Sequence, residues 1–502
     1  MKISLILPFV IAGFFLMSPS AGAQSTTSAV DDSIHSEILK ENRELRVVLP
    51  KDYQAGSLYR YEVVYVLDGE WYQELIPFIY NFGEFAGYFP KSIFVFVHNR
   101  YSAGRNLRDR DFSPTKVATN PFSGGADRFY GFLTREVVPY IENKYPASGR
   151  RSLLGSSFSG LFAVYAFLKA PAFFQSFIAS DPNLDFDNHY LSKLATRTLP
   201  GITGTPGTLF IAGRTNTYSE GGILRFDSVM QVHAPAILKW QCARYENETH
   251  YSVQLKAFYD GLRFSHYGYS SKPPEFHPMN GMVLKNKSFS IYSLNDNLSA
   301  RFTTDGSQPT IKSPVMPRDT SFVVTAPASI HVKAFANRSS YIKNWTAIYS
   351  TGQLFPDQSR KTAKGELNYK IFDGSWDAFP QTTTLTPALS GAADSLVKLA
   401  ALMQQRAGFL TITGTIDVME DSEYVFYANG FDAVRLSVGG KVLCQEDIHG
   451  NPASSYIISL KKGRYSLRLE LLHKTASLEP HFSMSRSRSD NLHWWENRIL
   501  DF

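Results

Sequence analysis

Gly155-Ser156-Ser157-Phe158-Ser159-Gly160 lies between an apolar stretch, Ser152-Leu153-Leu154, and a second one, Leu161–Leu168. The order reads as strand, sharp turn, helix. A serine at the tip of such a turn lifts its hydroxyl above the sheet, with a helix N-terminus behind it. Strand and helix backbones pass close together there, so small residues are needed on both sides. Gly155 and Ser156 supply them before Ser157, and Ser159 and Gly160 after it. The match to G-x-S-x-G departs at the closing position, which is Ser159. The chemistry of such a turn is nucleophilic attack by Ser157, and a hydroxyl needs a base to take its proton.

His250 fits the base. It ends the polar loop Glu246-Asn247-Glu248-Thr249 that follows the expected strand Gln241–Tyr245, just before a helical segment. His98, His233, His266 and His277 compete, but they read as a strand end, a helix interior, a helix end and a linker. The third partner is expected after the penultimate strand, Thr208–Ala212. No acid follows that strand directly. Glu220 could reach back as the acid, or Asn216 could orient the imidazole without charge; a Ser-His dyad would need neither. The oxyanion donors are expected at the backbone N–H of Phe158 and in the loop Asp68-Gly69-Glu70-Trp71, at Gly69 and Glu70. Asp68 reads as a structural cap of that turn.

The elements that must hold these residues alternate between residues 34 and 270. Glu44–Leu49, Glu62–Leu67, Ser92–Val97, Ser176–Ser180, Thr208–Ala212 and Gln241–Tyr245 read as strands. Arg128–Lys144, Ser228–Lys239 and Ser252–Phe264 carry helical spacing. This succession predicts a doubly wound α/β sheet. Near Lys272-Pro273-Pro274 the rhythm changes to short alternating strands and turns that run to the C-terminus. The expected domains are a leader at 1–23, an α/β domain at 24–270, and two all-β sandwiches at 271–355 and 356–502. Only residues 24–33 read as unstructured.

The first residues describe export. Lys2 precedes the apolar run Leu5–Met17, and Ala21-Gly22-Ala23 offers a cleavage site. A periplasmic or secreted protein with no membrane span is expected. Net charge is +6. Arg105, Arg108 and Arg110, the tightest basic cluster, alternate with Asp109 and Asp111, so nucleic acid is not an expected partner. Cys242 and Cys444 fall in different expected domains, and no disulfide is predicted between them.

Residues 34–270 resemble the putative esterase family that contains esterase D and the enterochelin esterases. The resemblance rests on Glu41-Asn42-Arg43, Val66-Leu67-Asp68-Gly69-Glu70, Arg110-Asp111-Phe112-Ser113-Pro114, the Ser157 segment and Glu248-Thr249-His250. It implies an α/β-hydrolase with Ser157 as nucleophile and His250 as base, working through an acyl-enzyme with no metal or cofactor. Ser180-Asp181-Pro182-Asn183-Leu184 stands where relatives carry Ser-Pro-Ser-Leu followed by tryptophans, so a different pocket is implied. Residues 275–355 resemble the small C-terminal sandwich of chitobiases and hexosaminidases, through Phe302–Thr310 and Ile330–Ala336. Residues 362–485 resemble a protective-antigen-type sandwich, through Gly365–Lys370, Gly414-Thr415-Ile416 and Val438-Gly439-Gly440-Lys441. Such appendages imply glycan binding and an ester-bearing carbohydrate as substrate. The alternatives are a siderophore or other small ester as substrate, or an inactive carbohydrate-binding protein.

Overall fold

The computed structural model describes residues 28–53, 56, 58–271, 274–295, 297, 299–356, 368–392, 402–403, 406–429, 432–447, 453–473, 481–487 and 498–500. The leader, Lys272-Pro273, Gly365-Glu366-Leu367 and Gly430-Phe431 lie outside the described residues. The chain forms two compact units. The first comprises the described residues up to Glu74, then Lys91–Gly207 and Ile211–His250; the second comprises Leu75–Pro90, Thr208–Phe210 and the residues from Tyr251 onward.

The elements of the α/β region are, in chain order, β1 (Ala29–Ser36), β2 (Glu41–Val48), β3 (Tyr61–Leu67), α1 (Gly69–Tyr72), α2 (Leu75–Phe85), β4 (Ser92–Val97) and the short hairpin β5 (Tyr101–Ser102) and β6 (Arg105–Asn106). Then come α3 (Arg108–Phe112), α4 (Ala126–Phe132), α5 (Val138–Lys144), β7 (Ala147–Ser156), α6 (Phe158–Lys169), β8 (Ser176–Ser180) and α7 (Phe186–Thr198). The series closes with β9 (Thr208–Arg214), α8 (Thr215–Ser219), α9 (Ile223–His233), β10 (Trp240–Tyr245) and α10 (Ser252–Ser265). The predicted helix over Arg128–Lys144 is present, with a π turn at Leu133–Val137 joining α4 to α5.

One eight-stranded sheet runs β1-β2-β4-β3-β7-β8-β9-β10. Strands β4, β3, β7 and β8 pair in parallel, while β1 and β2 are antiparallel additions at one edge. Every residue of β3, β4 and β8 is buried, as expected for strands covered on both faces. β1 corrects the unstructured reading of residues 29–33. Its sequence, Ala-Val-Asp-Asp-Ser-Ile-His-Ser, buries only the last residue fully, and edge strands tolerate such polarity.

A buried ion pair anchors β2 within this sheet. Arg43 donates to Asp111 at 2.5 Å, both side chains being 1 % exposed, and its second terminal amine donates to the His98 carbonyl. Phe129 and Phe132 flank the guanidinium. Arg110, one of the three arginines of the basic cluster, binds Glu41 and Asp111. Arg43→Met leaves Asp111 buried with Arg110 as its remaining cation. Urea denaturation is expected to show a loss of about 3–5 kcal/mol.

The all-β region contains β11 (Phe276–His277), β12 (Asn280–Leu284), β13 (Ser288–Leu294), β14 (Ala300–Thr303), β15 (Arg318–Thr325), β16 (Ala328–Ala334), β17 (Lys343–Gly352), β18 (Asn368–Asp373) and β19 (Leu389–Ala392). It continues with β20 (Gly408–Val418), β21 (Ser422–Asn429), β22 (Ala433–Val438), β23 (Lys441–Asp447), β24 (Ala453–Leu460), β25 (Gly463–His473), β26 (His481–Arg486) and β27 (Arg498–Leu500). The expected boundary at 355 is not a break in the hydrogen bonding. One sheet runs β14-β16-β17-β12-β24-β21-β26-β27, with β12 parallel to both β17 and β24. A Cβ on Gly281 of β12 would lie 2.1 Å from Ile457 Cγ2, so the close pairing with β24 needs glycine there. Val425 and Ile457 accordingly pack in one core with Phe289, Ile330 and Tyr349.

Candidate active site

Ser157 stands between β7 and α6 with φ 58° and ψ −118°. This is the strained backbone that a strand-to-helix turn imposes on a non-glycine residue. The small neighbours are required sterically: a Cβ on Gly155 would meet the Ser159 carbonyl oxygen at 2.3 Å. Ser159, the departure from the glycine pattern, has its own function. Its buried hydroxyl donates to the Ser156 carbonyl and accepts from the Ser156 N–H, both at 2.8 Å, which clamps the turn. Ser157 N–H donates to the Ser180 carbonyl at 2.9 Å, tying the turn to the end of β8. Phe158 begins α6, so its N–H is among those with no partner inside the helix.

The residue after that carbonyl is Asp181. Its side chain is fully buried, and His250 Nδ1 lies 2.6 Å from its Oδ2. Arg214 Nε donates to the same oxygen at 2.9 Å, and the Arg214 backbone N–H donates to Oδ1 at 3.3 Å. Burial acts to raise the Asp181 pKa. The hydrogen bonds from His250, Arg214 and Thr217 outweigh it and hold the carboxyl below its ordinary value. The carboxylate on the imidazole therefore belongs to Asp181. Glu220 and Asn216 do not take that place: both are exposed, at α8, where the Glu220 N–H donates to the Asn216 carbonyl at 2.7 Å. Ser157 Oγ donates to Asn183 Oδ1 at 3.0 Å, two residues beyond Asp181.

The loop after β3 is closely packed. Asp68 takes a left-handed conformation (φ 51°), and a Cβ on Gly69 would lie 2.7 Å from the Phe96 carbonyl carbon. Only glycine lets α1 start this close to β4. Gly69 and Glu70 form its first turn, with N–H groups of the orphan class. The Glu70 carboxylate turns toward Asn99, accepting from its backbone and side-chain nitrogens at 3.1 and 2.9 Å. The Asp68 side chain is not a helix cap. It is fully buried and accepts a two-point contact from Arg108, at 3.0 and 2.8 Å, plus Asn99 Nδ2 at 2.8 Å. The Arg108 guanidinium lies 5.0 Å from the Trp71 ring and 5.6 Å from the Phe158 ring. Phe158 in turn meets Phe186 edge to face at 5.9 Å.

Residues 36–195 match the family described as Putative esterase, and residues 401–493 match the PA14 domain. The first match holds Ser157 and Asp181 and ends before His250. Among curated proteins, the ferri-bacillibactin esterase of Bacillus subtilis is 25 % identical over 30 % of this chain and 58 % of its own length. A siderophore enterobactin esterase of Emericella nidulans is 36 % identical over 16 % of this chain and 27 % of its own. The chain thus spans between about a quarter and three-fifths of these relatives. Among solved structures, an IroE-like serine hydrolase from Shewanella oneidensis is 30 % identical, with a TM-score of 0.43, covering 47 % of this chain and 79 % of the other.

Proposed function

We propose, for a chain that belongs to the putative esterase family over residues 36–195 and carries a PA14 domain over residues 401–493, that it is a serine carboxylic-ester hydrolase with a Ser157–His250–Asp181 triad. The observation that carries this reading is the 2.6 Å contact between Asp181 and His250, at the strand end whose carbonyl holds the Ser157 N–H. Asp181 fixes the tautomer with the proton on Nδ1, leaving Nε2 as the base. Ser157 Oγ leaves Asn183, attacks the ester carbonyl carbon and gives its proton to His250. The same proton passes to the departing alcohol, and water then resolves the acyl-enzyme by the reverse route. The N–H groups of Phe158 and of the Gly69-Glu70 turn receive the developing oxyanion.

The substrate we assign is a carbohydrate ester bearing an aryl acyl group of the feruloyl kind, with an acetyl ester as the smaller variant. Trp71, Phe158 and Phe186 support a flat ring beside the nucleophile: Trp71 is 50 % exposed, and the other two are half-buried. The PA14 match supports a glycan setting by association, with the β region as the glycan-binding part. A siderophore ester is the second reading, favoured by the names of the curated relatives. The leader and the reading of the protein as periplasmic or secreted go with either. The test offers the purified full chain feruloylated and acetylated oligosaccharides and a catecholate trilactone, comparing kcat/KM. Feruloyl release is expected to be fastest; a faster trilactone reverses the order of the two readings, and no turnover of any ester removes both.

A further inference from the structure

A cleft lies at the C-terminal end of α10, in the unit that does not hold Ser157. Arg263, Tyr88, Ser270, Asn297 and Ser299 line it, and among the described residues no aspartate or glutamate does. Arg263 stacks its guanidinium on the Tyr88 ring, with Cζ 3.7 Å from the centroid. Stacking satisfies the face of the group and leaves the N–H donors, which lie in its plane, in need of acceptors. Arg263 Nη1 is buried and has no hydrogen-bond partner among the described residues. A buried donor in that state is costly, more so when it carries charge.

Lys343 of β17 adds a second cation. Its Nζ donates to the Ser270 carbonyl at 3.0 Å on the cleft wall. Burial lowers its pKa, with no carboxylate acting the other way. Among the described residues neither Arg263 nor Lys343 is in an ion pair. The negative pole of α10 is a competing explanation for Arg263, which sits in the last turn. That pole is already engaged: Asn337 donates to the Phe264 carbonyl at 2.8 Å and to the Tyr267 carbonyl at 3.0 Å. A dipole also offers Nη1 no acceptor. Asn297 Oδ1 accepts from Ser299 N and Oγ at 2.9 and 2.7 Å, which fixes these two side chains to each other.

We propose that this cleft binds a small oxyanion, held by Arg263 and Lys343 with the Asn297 and Ser299 side chains beside it. The shared chemistry is a carboxylate or phosphate oxygen pair that completes the guanidinium edge. Its source is either the carboxylate of an acidic sugar or free phosphate. Isothermal titration of the full chain at fixed ionic strength distinguishes them, with sodium glucuronate in one arm and inorganic phosphate in the other. Saturable binding of one equivalent is expected in at least one arm, weakened about tenfold or more in Arg263→Gln. Lys343→Gln gives a smaller loss and stands in should Arg263→Gln fail to fold by circular dichroism. The same titration on Ser157→Ala is expected to match wild type, since the site does not depend on ester hydrolysis. Absence of saturable heat in both arms, or binding unchanged in the folded variants, overturns the proposal.

Discussion

Ser157→Ala is expected to lower kcat/KM on p-nitrophenyl esters by about four to six orders of magnitude, leaving only what the oxyanion donors supply. The size follows from the part that Oγ plays. It is the atom that bonds the acyl carbon, and the neighbouring hydroxyls are buried. Ser159 Oγ is buried and bonded to the Ser156 backbone. Ser156 is buried in β7. A companion variant separates the chemistry from the fold. Ser157→Gly also removes Oγ, but it relieves a residue held at φ 58°, ψ −118°, where glycine is at ease. Ser157→Gly should therefore be equally inactive and more stable by about 1 kcal/mol in urea. Equal turnover by wild type and Ser157→Ala would end the nucleophile assignment. Equal activity loss with falling stability in Ser157→Gly would instead mean that the turn is not strained.

The nucleophile turn was legible because its chemistry is local. Small residues at 155, 156, 159 and 160 must be contiguous with the serine, and the helix that follows is continuously apolar. His250 was legible by chain order and a polar loop. Asp181 was not, although Asp181-Pro182 directly follows a recognised strand. The sequence places strands along the chain but not side by side. The acid was sought after β9, whereas β8 lies between β7 and β9 in the sheet, so its end is beside the nucleophile turn. The departure at Ser180-Asp181-Pro182-Asn183 was visible only as a difference from relatives. It carries both the partner of His250 and the acceptor of Ser157 Oγ. The same limit hid the β12–β24 pairing, which joins residues some 175 positions apart through parallel strands with no local turn signal. β1 was missed for another reason: an edge strand needs little apolar alternation once its neighbour provides the ladder.

Asp181→Asn should cost kcat up to about four orders of magnitude, while Glu220→Gln and Asn216→Ala stay within about threefold. An amide in place of the carboxylate can present its N–H to Nδ1 and so favour the tautomer with the proton on Nε2, which cannot act as the base. It also removes the charge that stabilises the imidazolium. Arg214 sharpens the expectation, because its guanidinium is left beside His250 with its counter-ion gone. A stability measurement distinguishes this from simple unfolding. The Asp181 carboxyl is held below its ordinary value, because the bonds from His250, Arg214 and Thr217 outweigh burial. A depressed carboxyl stabilises the fold at pH values above its unfolded-state pKa. That contribution disappears as pH falls through the lower folded-state value. Wild type should therefore lose urea stability below about pH 4 more steeply than Asp181→Asn, with the two curves converging at the acid end. Parallel curves would show that Asp181 is not ionised against His250 and Arg214. An activity loss in Glu220→Gln as large as that in Asp181→Asn would return the acid to α8.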